Sequence, residues 1–378
     1  MKILYVTTIG GTMNFFNSFI NQLINEGHTI DIATNENGSK VPACYREWGC
    51  TIHQIDTSRS PLNKGNLKAI KQLKRLVEKE KYDIVHCHTP VAAMCTRLAC
   101  RKARKNGTKV FYTAHGFHFY KGAPLKNWLL YYPVEKICAH FTDVLITINQ
   151  EDYVLAQKKM KAKQVEYVPG VGIDLTKFGQ ATVDKSAKRM ELGVPEDATL
   201  LLSVGELNEN KNHETVIRAI KDLDVYYIIA GKGCLYEHLQ NVIDELGMHN
   251  KVKLLGFRGD IGELCEAADI YVMPSYREGL SVALMEAMAS GLPCVVSHIR
   301  GNTDLIDENG GTLFNPHSIE DCQKSLQKVI FGEAKKLGMY NLSKIKKFSL
   351  VAVNEQMDDI ICGGVLPLKC TDNLPEET

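Results

Sequence analysis

The chain has 378 residues, 44% of them apolar, with 45 Lys and Arg against 44 Asp and Glu and a formal net charge of +1. At roughly 150 residues per domain this is the size of about two globular domains, not a disordered or fibrous chain. No apolar stretch approaches the roughly 20 residues of a membrane-spanning helix, and the twelve Cys form no C-x-x-C pair, which sets aside membrane-spanning and disulfide-stapled classes.

The opening MKILYVTTIGG is too brief for a signal peptide and lacks a small-residue cleavage site, so it reads as a first strand, Lys2–Thr7, entering a Gly turn. Without an export signal the thiols are expected to be reduced, in a cytoplasmic protein. Further strands are predicted at Thr29–Ala33, Ile84–Cys87, Lys109–Thr113, Val144–Thr147 and Val165–Val168. A second series follows at Thr199–Val204, Val225–Ala230, Val252–Leu255, Ile270–Met273 and Pro293–Ser297. Runs such as LLLSV and VYYIIA suit strands covered on both faces. Helical periods at Met13–Glu26, His213–Lys221, Leu235–Leu246 and Leu280–Ser290 complete a βαβ alternation, hence parallel sheets. The alternation restarts near Thr199, after the Pro- and Gly-containing segment Pro169–Gly193. The fold class is therefore α/β, two doubly wound domains in tandem with a cleft between them, and ligands are expected beyond the carboxyl ends of the strands.

Charge is unevenly spread. Residues 1–170 hold 24 Lys and Arg against 13 Asp and Glu, which leaves 21 against 31 for the remainder. Much of the surplus lies in Lys64–Lys81, where Leu67, Ile70, Leu73, Leu76 and Val77 recur at helical steps, and in Arg101–Lys109. A solvated helix face and an anionic membrane surface account for it equally. Nucleic acid is disfavoured, because no aromatics interleave with the charge.

The segment Pro274–Pro293, PSYREGLSVALMEAMASGLP, carries the most chemistry. A strand, a loop ending in Glu278-Gly279 and then a helix would place free N–H groups of Gly279, Leu280 and Ser281 at the positive end of a helix dipole, an anion site. Glu286 lies about 7 Å farther along the axis, where a carboxylate accepts well from a sugar diol. Spacing alone equally allows Glu286 as a surface residue and Glu278 as a turn acid. Three more loops follow predicted strands: Val204–Lys211, with Lys211 as a point charge; Gly231-Lys232-Gly233; and Gly256-Phe257-Arg258, which would frame an aromatic base. Each alone is an ordinary turn. On one sheet edge they describe a nucleotide diphosphate pocket.

These residues resemble the retaining glycosyltransferases of family four, which have the GT-B fold. The likeness rests on Glu278…Glu286 within PSxxEGLxxxxxEAMAxGxP, the VGxL…K loop at Val204–Lys211, AGKG at Ala230–Gly233 and GF at Gly256–Phe257. In the first half it rests on Gly10-Gly11, DIVHCHTP at Asp83–Pro90 and TAHG at Thr113–Gly116. It covers nearly the whole chain and is nearest in wording to capsular and exopolysaccharide biosynthetic members. It implies an acceptor-side domain over 1–170, a nucleotide-sugar domain over 171–347, and a closing helix at Phe348–Ile361 returning to the first domain before a loose tail from Leu366. It further implies that Glu286 holds the ribose hydroxyls, that Glu278 contacts the donor sugar, and that Gly279, Leu280 and Ser281 offer N–H groups. Lys211 would neutralise the departing diphosphate, with Gly205, Gly231, Gly233, Phe257 and Arg258 lining the donor. Gly11 would approach from the other domain, and His115 would lie near the reacting sugar. Many members carry Arg where this chain has Glu206; the acid is expected to point away or sit in a salt bridge, with Arg258 or Arg277 as the replacement cation.

The resemblance implies transfer of a hexose or N-acetylhexosamine from a UDP-sugar to a polyprenyl-diphosphate-linked glycan, with retention and with neither metal nor cofactor. It places the enzyme peripherally on the inner face of a membrane. A UDP-sugar 2-epimerase on the same fold and a non-catalytic nucleotide-sugar-binding subunit are the alternatives. His86 and His88 form an H-x-H pair, two ligands that without a third make no metal site, and suit structural or acceptor-side roles. His118 reads as an aromatic-cluster residue. Ala123–Pro133, with Trp128, Tyr131 and Tyr132, reads as a partly buried helix or as a contact for a lipid-linked acceptor. No P-loop or dinucleotide fingerprint is present.

Overall fold

The computed structural model describes residues 1–61, 63–178 and 184–363; the expected tail from Leu366 lies outside them. The chain divides into two compact units, Met1–Val171 with the chain from Val351, and Gly172–Leu350. Among the described residues no helix is long and apolar enough to cross a membrane, and all eleven cysteines are free.

Unit 1 is built on β1 (Lys2–Val6), β2 (Thr29–Thr34), β3 (Thr51–Gln54), β4 (Ile84–His88), β5 (Lys109–Ala114), β6 (Val144–Thr147) and β7 (Gln164–Tyr167). They form one parallel sheet in the order β3-β2-β1-β4-β5-β6-β7. Alternate residues of β1 feed opposite cores: Leu4 and Val6 join one cluster, Ile3 and Tyr5 the other. That double burial is why the strands read as unbroken apolar runs. The terminal helix Leu350–Gly363 sends Val353, Met357 and Ile361 into the second cluster, and Asn354 Nδ2 donates to Ser18 Oγ at 3.1 Å.

Unit 2 carries β8 (Thr199–Val204), β9 (Val225–Ala230), β10 (Val252–Gly256), β11 (Ile270–Met273), β12 (Cys294–Ser297) and β13 (Gly311–Phe314). These also form one parallel sheet, β10-β9-β8-β11-β12-β13. In each sheet the strand order reverses once, at β1/β4 and at β8/β11, and crevices for ligands open at the carboxyl ends beside such reversals.

Four features differ from the sequence expectations. The edge strand β3 and the strand β13 were not predicted, since TIHQ is polar and GTLF opens on glycine. The expected helix Met13–Glu26 begins instead as a 3-10 segment, Gly10–Phe16, before an α-helix over Asn17–Asn25. The helix expected from Leu280 starts at Val282, because the Ser281 side chain caps it by accepting from Leu284 N.

Candidate active site

The loops after β8 and β11, neighbours at the reversal in unit 2, are fastened to each other by asparagines. Asn208 accepts from Lys211 N at 3.0 Å and closes the turn that carries the lysine. Asn210 accepts from Tyr276 N at 2.8 Å through its carbonyl, while its amide donates to the Arg277 carbonyl at 3.0 Å. Asn212, in the left-handed region at φ 53°, donates to the carbonyls of Pro274 and Pro316. The outcome is an ion pair: Lys211 Nζ donates to Glu278 Oε1 at 2.7 Å, with both side chains largely shielded from water. A Cβ on Gly205 would lie 3.1 Å from Lys211 Cε, so its hydrogen leaves room for the lysine stem.

The loop after β9 packs backbone on backbone against the same place. Gly205 N donates to the Ala230 carbonyl, Leu207 N to the Lys232 carbonyl and Gly231 N to the Gly256 carbonyl, all at 2.8–3.0 Å. A Cβ on Gly231 would stand 1.7 Å from the Gly205 carbonyl oxygen, and one on Gly233 would stand 2.2 Å from that of Leu207. Gly231→Ala is expected to force the two loops apart and cost ~1–3 kcal/mol. A urea midpoint equal to wild type would refute that contact.

The helix Val282–Ala289 buries Leu284, Met285, Ala287, Met288 and Ala289, which leaves Glu286 at its half-buried polar position. Burial raises the Glu286 carboxyl above its ordinary pKa, and among the described residues the carboxyl has no hydrogen-bond or ion-pair partner. A partly desolvated carboxylate without a partner is costly to keep, and such groups mark functional sites. Likewise no protein acceptor among the described residues takes the N–H groups of Gly279, Leu280 and Ser281.

In unit 1 the carboxyl ends of β1, β4 and β5 hold a histidine ladder. His86 Nε2 pairs with Thr113 Oγ1 at 2.8 Å, and His88 Nδ1 with His115 Nε2 at 3.2 Å. The His86 and His88 rings lie 4.2 Å apart, beneath Phe16 and Tyr5. Burial pushes His86 down to about 3, His115 to about 4 and His88 well below its ordinary value, so all three are neutral at pH 7. His86 Nδ1, His88 Nε2 and the Tyr5 hydroxyl are buried without partners. Thr89, which follows, sits at φ 65°, a strained position for a β-branched residue, and its hydroxyl pairs with Thr8 Oγ1 at 2.6 Å. Gly11 donates its N–H to Ser39 Oγ at 3.1 Å.

The sequence matches two families, Glycosyl transferases group 1 over residues 184–341 and Glycosyl transferase 4-like over residues 2–149. It is 36% identical over 370 residues to the putative glycosyltransferase EpsD of Bacillus subtilis (strain 168), covering 95% of this chain and 96% of that protein. The chain is a family-four glycosyltransferase. This glycosyltransferase is also 32% identical over 275 residues, 70% of each chain, to an Escherichia coli protein named UDP-Gal:alpha-D-GlcNAc-diphosphoundecaprenol alpha-1,3-galactosyltransferase. Its fold is GT-B: the Anabaena Alr3699/HepE structure in complex with UDP superposes with a TM-score of 0.80 at 20% identity, covering 96% of this chain and 100% of that one. WaaG, a glycosyltransferase involved in lipopolysaccharide biosynthesis, superposes with a TM-score of 0.72 at 19% identity, covering 96% and 99%.

Within this glycosyltransferase the structure brings Lys211, Glu278, Gly205, Gly231 and Gly233 together and sets Glu286 on the adjoining helix. Two expected donor residues are placed differently. Arg258 donates to Asp260 and to Glu191 at 2.8 Å, in an ion-pair cluster that includes Lys188, so its charge is already neutralised. Phe257 is 75% exposed beside that cluster. Glu206 is exposed and accepts from the Asn208 amide at 3.0 Å instead of facing a cation. The Arg277 guanidinium is exposed with no partner among the described residues. His118 stacks on Tyr131 at 4.5 Å. Among the described residues no three His, Cys, Asp or Glu are grouped to hold a metal ion.

Sequence reading missed Asn208, Asn210 and Asn212, whose alternation in NENKN signals side-chain-closed turns. It also missed Gly301, where a Cβ would stand 2.0 Å from the Gly279 carbonyl oxygen, so the loop after β12 braces the one bearing Glu278.

Proposed function

We propose that this glycosyltransferase moves a hexose or N-acetylhexosamine from a UDP-sugar to a polyprenyl-diphosphate-linked glycan in exopolysaccharide, capsular or related surface-glycan biosynthesis. The observation that carries the reading is the Lys211–Glu278 ion pair beside the unpartnered Glu286 carboxylate. Glu286 accepts from the ribose hydroxyls, and the N–H groups of Gly279, Leu280 and Ser281 face the diphosphate. Glu278 exchanges its hold on Lys211 for the hydroxyls of the donor sugar, and Lys211 then turns to the phosphate. Breaking the sugar–phosphate bond builds negative charge on the leaving diphosphate, where fixed donors act most strongly in the transition state. The acceptor hydroxyl attacks from the face that the phosphate leaves and gives its proton to that phosphate, so configuration is retained. In this reading Lys211 and backbone N–H groups do the work of a divalent cation. His115 and Gly11 serve the sugar and the diphosphate, a role supported by the TAHG and Gly-Gly resemblance. The name of the Escherichia coli relative, with its UDP-Gal donor and diphosphoundecaprenol acceptor, supports both substrate classes. A lipid-linked acceptor in turn places the enzyme at an anionic membrane surface.

A panel of UDP-sugars with lipid-linked acceptors tests this. UDP release that requires acceptor supports transfer, isomerised donor supports 2-epimerisation, and tight binding without turnover supports a binding subunit. Glu286→Gln is expected to weaken UDP binding roughly 10- to 100-fold, the worth of a hydrogen bond to a charged group. Calorimetry showing wild-type affinity would remove the ribose from Glu286.

A further inference from the structure

Tyr276, Arg277 and His317 are exposed at the carboxyl edge of the unit 2 sheet, on the loops after β11 and β13. The Tyr276 ring stacks on the His317 imidazole, with centroids 4.9 Å apart and planes 21° from parallel. Both loops are pinned through their backbones. Asn212 donates its amide to the carbonyls of Pro274 and Pro316, one on each loop, at 3.1 and 3.0 Å. The Asn210 carbonyl accepts from Tyr276 N at 2.8 Å, and Asn315 Oδ1 accepts from His317 N at 3.0 Å. These anchors hold an aromatic face that still opens to water, 37% exposed at Tyr276. A ring fixed in this way can take a ligand without first losing its own freedom.

The same pair of loops that joins Asn210 to Tyr276 joins Lys211 to Glu278, so the ring stands beside the ion pair, on the Glu278 side of the site. The Glu286 carboxyl, assigned to the ribose, stands on the following helix. In a nucleotide sugar the base is joined on the ribose side of the diphosphate and the transferred sugar on the other. The ring therefore belongs to the sugar end, away from the base. Its neighbour Arg277 is anchored through its carbonyl, which accepts from the Asn210 amide at 3.0 Å. The guanidinium itself is exposed with no partner among the described residues. An unpaired cation next to an aromatic face suits a ligand with both a C–H face and an anionic group. The donor's leaving group is assigned to Lys211, which is shielded from water in its pair with Glu278. The exposed ring and guanidinium lie outside that pair, where the second substrate arrives.

We propose that Tyr276 stacked on His317, with Arg277 beside it, forms an acceptor subsite on unit 2 that takes a glycosyl phosphate. The Tyr276 ring lies against the C–H face of the acceptor sugar, and the Arg277 guanidinium pairs with the phosphate joined to that sugar. Dispersion and the electron-rich ring face hold the first, and the guanidinium fork holds the second in paired hydrogen bonds. Ring and cation are consecutive residues, so they reach one sugar and its own phosphate, not the far end of a long glycan. This subsite presupposes the proposed transfer to a diphosphate-linked glycan and adds which groups grip that acceptor. Probe binding is measured without turnover, so the two fail separately: acceptor-dependent UDP release tests the transfer, and the probes test the subsite.

The test is an NMR titration of the full chain loaded with UDP, using N-acetyl-α-D-glucosaminyl phosphate and methyl N-acetyl-α-D-glucosaminide as probes. Wild type is expected to bind the glycosyl phosphate about tenfold more tightly than the methyl glycoside, the worth of a hydrogen bond to a charged group. Tyr276→Ala is expected to weaken both probes about tenfold, the loss of one aromatic contact, whereas Tyr276→Phe keeps the ring and binds both as wild type does. Arg277→Ala is expected to weaken the glycosyl phosphate about tenfold and to leave the methyl glycoside unchanged. Calorimetry is expected to give wild-type UDP affinity in all three variants, and thermal unfolding at the wild-type temperature shows that they fold. Wild type that binds neither probe, or either Ala variant that binds the glycosyl phosphate as wild type does, would overturn the proposal. So would loss of UDP affinity in either Ala variant, which would assign the ring or the cation to the donor, and inorganic phosphate binding as tightly as the glycosyl phosphate, which would leave an anion site without a sugar.

Discussion

Lys211→Ala is expected to lower kcat/KM for the UDP-sugar by roughly 10²- to 10³-fold, the loss typical of removing one preorganised donor from a developing oxyanion. The effect should fall mainly on kcat, because charge on the diphosphate grows as the sugar–phosphate bond breaks and Lys211 is worth most then. The ground state already gives the lysine a partner, Glu278 Oε1 at 2.7 Å, so substrate competes with an existing ion pair and gains little from it. A structural role makes a different forecast. Without Lys211 the shielded Glu278 carboxylate loses its cation, which destabilises the loop, and Glu278→Gln in the same chain would relieve that cost. If the double variant recovers both thermal stability and turnover, the pair is structural. If it recovers stability alone, Lys211 acts on the substrate. Steady-state kinetics with saturating acceptor, beside thermal unfolding of both variants, decides between them.

How far the sequence reached follows from what each residue touches. Strands covered on both faces, such as LLLSV and VYYIIA, announced themselves as apolar runs, and so did the double alternation that yields two parallel sheets. The edges did not: β3 reads TIHQ, with two of its four residues exposed, and carries no apolar signal. Glu278, Lys211 and Glu286 were legible because a loop, a helix and a fixed spacing hold them, and motif positions survive translation into space. Arg258 was not, since whether a cation is free depends on partners distant in the chain: Glu191, 67 residues away, neutralises it. The aromatic segment is the partly buried helix that was one of its two readings. Composition showed Trp128, Tyr131 and Tyr132 beside Leu129 and Leu130, but only the rotation of the helix decides which of them meets water.

Lowering the pH from 7 to 5 is expected to weaken unit 1 by about 4 kcal/mol, nearly a thousandfold in its unfolding equilibrium, through His86 and His88 alone. The unfolded chain titrates His near 6.5; in the folded chain His86 is held at about 3 and His88 well below its ordinary value, both by burial. Between those limits the unfolded state binds more protons than the folded state, so stability falls as pH falls. The full value is present above about 6.5. At pH 5 each ring has lost about 2 kcal/mol, and His115, held at about 4, adds loss in the same direction. Asp143, kept down near 2 chiefly by the Arg104 guanidinium against its burial, stays ionised throughout this window and contributes no slope. His86→Asn, which keeps a polar partner for Thr113 but cannot titrate, should flatten the dependence by about 2 kcal/mol at pH 5. Urea midpoints for wild type and variant across this range measure it, and parallel curves would show that His86 is solvated and protonates freely. The same depression bears on chemistry: at neutral pH His115 presents an uncharged ring hydrogen-bonded to His88, able to orient a hydroxyl but not to act as a cation toward phosphate.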